Sequence, residues 1–264
     1  MGWASLLARA ASEVVSSGLV TLLVHCPPPF PSLSLQYRVL FGNDTPWQLN
    51  SKEANLPAMK PTQAQIKALK RRDPILGAAM RRLPPFPELP LPMFRGPHFH
   101  VLARSIIYQQ LATRAAATIY GRVRELSPGA RFPTPGQMLA FSDERLRSAG
   151  LSGNKTRALR DLAGKIVTGE LRLRGIDRHD DEEIIRRLTT VWGIGEWTAQ
   201  MFLIFKLGRL DIMPAGDLGV QEGLRVLDGL AGRPSPKTLL DRAEVWRPLC
   251  SVAAWFLWRL ADAK

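Results

Sequence analysis

From residue 62 onward the chain offers no stretch in which apolar and polar residues alternate over the length of a strand. Apolar side chains return instead every third or fourth position, the period of a helix with one buried face. The segments open on helix-start chemistry. "TQAQIKALKRR" (62–72) follows Pro61, starts on Thr62 and sets Ile66 and Leu69 on one face. "DPILGAAMRR" opens with Asp73 as N-cap and Pro74 at the first helical position, where a missing N–H does no harm. Beyond an extended proline-rich connector, "LPPFPELPLP" (83–92), helices are predicted at 98–110, 113–126, 135–141, 143–149, 155–168, 180–190 and 196–207, from 217, and at 236–246 and 248–261. The expectation is an all-α fold of about ten helices in short loops, without internal repeats.

Residues 1–58 differ. They carry three basic and three acidic side chains, a proline cluster at 27–31 and the one alternating stretch, "SLQYRVLF" (34–41). The expectation is a poorly ordered leader with one short helix near 4–24, followed by a single domain over 59–264. "VVSSGLVTLLV" (14–24) is too short for a membrane span. It lacks the small-x-small cleavage site of a secretion signal. The chain is expected to stay inside the cell, away from membranes, as a monomer.

Charge narrows the function. The sequence holds 36 Lys+Arg against 23 Asp+Glu, a net +13, and the whole excess lies in 59–264. A field of that sign, concentrated on one domain, suits a polyanion, nucleic acid above all. Two cysteines, Cys26 and Cys250, exclude a disulfide framework and any four-cysteine zinc or iron–sulfur site. His98 and His100 fall on different helix faces with no further ligand type nearby, so no metal site is expected there.

Two motifs carry the chemistry. In "VWGIGEWTAQ" (191–200) one helix ends, Gly193-Ile194-Gly195 turns, and a second helix starts at Glu196. Glycines let backbone N–H groups approach a phosphate, the new helix start adds its positive dipole end, and Ile194 plugs the turn. In "DIMPAGDLGVQEG" Asp217 follows Pro214-Ala215-Gly216 at the start of another helix. Read alone, that aspartate is better explained as an N-cap, and the Gly-x-Gly turn as a plain connection.

Together they resemble the helix-hairpin-helix–Gly/Pro–Asp superfamily of DNA glycosylases, and most of all its DNA-3-methyladenine glycosylase II branch. "SIIYQQLATRAA" (105–116), "GLSGNKTRALRDLA" (150–163) and "VWRPLCSVAAWFLW" (245–258) extend the resemblance over roughly 62–261. It implies two helical subdomains with the hairpin and an active-site cleft between them. It implies excision of alkylated purines, of the 3-methyladenine and 7-methylguanine type, from double-stranded DNA after the base is flipped out. By position, Asp217 matches the catalytic aspartate. Trp197, Met201, Trp258 and Tyr108 match the base pocket, with Phe202 and Phe205 as core. Gly193, Ile194, Gly195, Thr198 and Gln110 match DNA contacts, and Leu111 the wedge left in the duplex. Trp197 stands where strand-nicking relatives carry a Schiff-base lysine, which implies a monofunctional enzyme. Trp197 and Leu111 also read simply as core residues. No cofactor is implied, although the resemblance allows a monovalent cation held by hairpin carbonyls. Leu249 and Cys250 depart from the tryptophan and arginine usual in relatives and put a contact there in doubt. The remaining alternatives are a non-catalytic hairpin DNA binder and a glycosylase for deaminated or other lesions.

Overall fold

A computed structural model describes residues 60–263; the leader and the alternating stretch at 34–41 lie outside it. Twelve α-helices, rather than about ten, occupy the described residues: α1 (Gln63–Arg72), α2 (Pro74–Arg82), α3 (His98–Tyr108), α4 (Thr113–Glu125), α5 (Pro135–Ala140), α6 (Asp143–Ser148), α7 (Gly153–Val167), α8 (Asp181–Leu188), α9 (Glu196–Phe205), α10 (Leu218–Leu227), α11 (Pro236–Ala243) and α12 (Cys250–Asp262). No described residue lies in an extended strand.

The helices begin where side-chain acceptors satisfy their first N–H groups. Thr62 and Gln65 form a reciprocal capping box on α1, and Thr134 with Gln137 another on α5. Ser142, Ser152, Asp180 and Ser235 cap α6, α7, α8 and α11. Several ends depart from the sequence expectation for local reasons. α3 stops at Tyr108 because Gln110 adopts a φ of +56°. α7 starts two residues early, since Ser152 accepts from Lys155 N–H. α11 yields at Ala243 to a 3₁₀ turn, Glu244–Trp246. α12 waits until Cys250 because Arg247, ahead of Pro248, is extended.

Packing divides the described chain into two groups of helices that share one continuous core. The first and last helices form one group: α1 lies on α2, α2 on α12, and α12 along α10. α10 and α12 are in backbone contact, since a Cβ on Gly223 would stand 2.0 Å from the Leu257 carbonyl oxygen. Helices α3 to α9 form the other group, with α3 on α4 and α7, α5 on α7, and α8 on α9. The terminal group is locked by Asp73. One of its oxygens caps α2 at Leu76 N–H (2.9 Å), while the other accepts from Arg242 (2.6 Å) and Trp246 (2.7 Å). Burial pushes the Asp73 carboxyl up, and these donors outweigh it, leaving it below the usual carboxylate range. The groups meet at α9, whose Phe205 ring lies 5.8 Å from Trp258 of α12 and 5.4 Å from Phe94. That seam holds both motifs.

Candidate active site at the hairpin and the capped aspartate

The hairpin is built from the inside. Val191 and Ile194 are buried, and Ile194 N–H closes the turn on the Val191 carbonyl at 3.0 Å. Gly193 takes a φ of +85° and its absent Cβ would sit 3.0 Å from that of Ala158, so glycine is required by the fold itself. Gly195 differs. Its φ of −90° suits any residue, and a Cβ there would meet only open space. As N-cap of α9 it contributes no side-chain acceptor. The first-turn N–H groups of α9 therefore face outward across a surface that this glycine keeps clear.

Two residues that the sequence did not single out fix the turn to its surroundings. Gln109 Nε2 donates to the Gly193 carbonyl (3.0 Å) and to Thr198 Oγ1 (3.3 Å). Lys155 Nζ donates to the carbonyls of Ile107 and Gln109, the latter at 2.8 Å, and burial pulls its pKa down to about 8. Thus hydrogen bonds tie the α3–α4 loop, α7 and the hairpin together. At the tip of that loop Gln110 is exposed, while Leu111 is half-buried against the core.

Asp217 stands 20 residues from Trp197, and the fold closes that gap to a hydrogen bond. Trp197 Nε1–H, from α9, donates to Asp217 Oδ2 at 2.5 Å. Trp258 Nε1–H, from α12, donates to Oδ1 at 2.9 Å, and Val220 N–H donates to Oδ1 at 2.8 Å as the cap of α10. The aspartate is half-buried, with three donors on it from three helices. Each carboxylate oxygen offers two lone pairs; Oδ1 uses both, and Oδ2 retains one. Gly219 makes the arrangement possible: a Cβ there would lie 3.0 Å from Asp217 Oδ1 and 3.1 Å from Trp258 Cδ1. In the sequence it is marked only by its spacing to Gly223, one helical turn on, which does not name Trp258 as the neighbour. Gln221 supports the preceding turn through the Ala215 carbonyl (2.8 Å).

The other expected pocket residues are placed differently. Trp197 is half-buried, whereas Trp258 and Met201 are buried. Tyr108 is also buried, under the Arg104 guanidinium (4.7 Å) and edge-on to Tyr120; no hydrogen bond joins Tyr108 or Met201 to Asp217. Phe202 and Phe205 are core. Leu249 and Cys250 are completely buried, and the thiol reaches the Ala243 carbonyl, so these two departures fall in the interior.

A family model described as "HhH-GPD superfamily base excision DNA repair protein" matches residues 103–248. The chain belongs to the HhH-GPD superfamily. This HhH-GPD protein is 37% identical over 168 residues to DNA-3-methyladenine glycosylase 1 of Schizosaccharomyces pombe, covering 62% of this chain and 74% of that one. Among solved structures it resembles the S. pombe 3-methyladenine DNA glycosylase in complex with abasic DNA (TM-score 0.67, 31% identity, 75% of this chain and 96% of that one). It also resembles a DNA-3-methyladenine glycosidase from Bacillus halodurans (TM-score 0.68, 34% identity, 79% and 94%).

Proposed function

We propose that this HhH-GPD protein is a monofunctional DNA glycosylase that removes alkylated purines, of the 3-methyladenine and 7-methylguanine type, from double-stranded DNA. The observation that carries the reading is the Asp217 carboxylate, held at the seam of the two helical groups by Trp197, Trp258 and the start of α10. The names of the relatives supply the substrate class.

The hairpin holds the strand. Outward N–H groups at the start of α9 take a backbone phosphate without reading sequence. Leu111 fills the space left by the extruded nucleotide and offsets part of the few kcal/mol of lost stacking. As the bond between C1′ and the purine nitrogen breaks, its electron pair leaves with the base and positive charge develops on the sugar. Asp217 stabilises that charge. Its remaining Oδ2 lone pair orients a water molecule and accepts its proton as the oxygen adds to C1′. One carboxylate is sufficient because an N-alkylated purine leaves from a cationic form. Trp197 offers an indole face to such a base, a cation–π contact, and has no amine with which to form a Schiff base.

A monovalent cation takes no step in this reading. The test is release of free methylated purines from alkylated duplex, separated by chromatography, with strands that stay whole until alkali is added. Strand cleavage without alkali, trapped as a covalent adduct by borohydride, would overturn the monofunctional assignment.

A further inference from the structure

A groove of about 500 Å³ lies beside the hairpin, between α6, α7 and Trp192. Its charges are unevenly used. Arg160 is committed to Asp143 (2.8 Å) and to the carbonyls of Leu139 and Phe141. Asp161 accepts the Trp192 backbone N–H at 2.7 Å. Arg147 and Arg157, both exposed, make no ion pair or hydrogen bond through their guanidinium groups among the described residues. Arg157 is nevertheless held in place, stacked 4.4 Å from the Trp192 ring. Asp143 is neutralised by Arg160; Asp161 stays in the groove, and Glu144 on α6 lies within electrostatic reach of Arg147, whose guanidinium, like that of Arg157, still has its donors unused. Gly153, the first residue of the 15-residue helix α7, also lines the groove. So does Thr156, which is 4% exposed and whose hydroxyl is buried without a partner.

We infer that this groove binds a phosphate group of the DNA backbone, adjacent along the strand to the phosphate taken by the hairpin. The inference rests on the DNA-binding reading above. Guanidinium groups present forked donors that match phosphate oxygens. Stacking on Trp192 orders Arg157 in advance and leaves its edge donors unused. The α7 start adds positive potential of the kind that attracts anions, and a buried hydroxyl without a partner is a group that a ligand oxygen satisfies. Continuity decides in favour of DNA over an acidic peptide: Trp192 lines the groove and immediately precedes Gly193 of the hairpin.

The test compares the full-length protein with the double variant Arg147→Gln/Arg157→Gln. Binding to a labelled duplex is followed by fluorescence anisotropy across a potassium chloride series. A lost phosphate contact lowers the slope of log K against log salt by about 0.9, so the variant is expected to show a slope smaller by about one. Single-turnover base release at saturating enzyme is expected to be unchanged. Equal, non-zero slopes overturn the groove and leave the glycosylase reading intact. A wild type that binds DNA but releases no base overturns the glycosylase reading and leaves the slope comparison decisive for the groove. A second arm titrates inorganic phosphate, without DNA, by calorimetry. Phosphate taken up by the wild type alone, with equal DNA slopes, makes the groove a free-anion site and overturns the backbone assignment.

Discussion

At Asp217 two explanations of one residue coincide. The aspartate is an N-cap, accepting from Val220 N–H, and it is also the acceptor for two indoles from separate helices. Its position was legible because the Pro-Ala-Gly-Asp run and the hairpin fall in order; Gly219 was not, because its role depends on where Trp258, 39 residues on, returns to α10. That dependence is testable. Alanine at 219 favours a helix by about 0.5–1 kcal/mol over glycine, yet its Cβ would press on Asp217 Oδ1 and Trp258. Gly219→Ala is expected to fold, because the propensity gain offsets part of that crowding, and to release base more slowly. Unchanged release would show that the close fit around Asp217 is unimportant.

Among the elements, helix starts were read well and helix ends less so. Caps such as Thr62, Asp73 and Ser235 are written in single residues, whereas a boundary set by distant contacts is not, as at the start of α12, where Asp211 accepts from Cys250 N–H. The hairpin shows the same division. Sequence treats its two glycines alike, but only Gly193 is demanded by backbone conformation and by Ala158. Gly193→Val is expected to lower both the melting temperature and DNA affinity, with the positive φ alone opposed by roughly 1–2 kcal/mol. Gly195→Val is expected to melt with the wild type and lose affinity for damaged and undamaged duplexes equally. Gel shift and thermal melting on the same preparations check the pair. A Gly195→Val protein that binds DNA normally would remove the α9 start from the interface.

Across the described residues as a whole, the first helices pack with the last one, which places Trp258 of α12 beside Asp217 and Trp197. That closure could not be read from local pattern, because nothing in the periodicity of α1 or α2 names α12 as a partner. Burial of a titratable group at the seam adds a pH dependence. His98 packs against Phe202 with Nδ1 buried and unpartnered. Burial first, then Lys206, pulls its pKa down from 6.5 to about 4, against a smaller opposing pull from Asp177. Below 6.5 the unfolded chain takes up a proton that the folded one refuses until about 4. Stability is therefore present above pH 6.5 and is lost as pH falls through that window. Urea denaturation at a series of pH values is expected to show this loss in the wild type and a flatter profile in His98→Gln; parallel profiles would place the pH dependence elsewhere.

The division of labour between hairpin and aspartate rests most directly on Asp217→Asn. Asparagine caps a helix about as well as aspartate, so the variant is expected to fold and to bind alkylated duplex with wild-type affinity or better. With the charge gone from beneath the sugar, release of methylated purines is expected to fall by roughly 10²–10³-fold, the usual effect of removing one well-placed electrostatic group. A folded Asp217→Asn protein that binds DNA and releases 3-methyladenine at the wild-type rate would contradict the assignment and leave Asp217 as a helix cap.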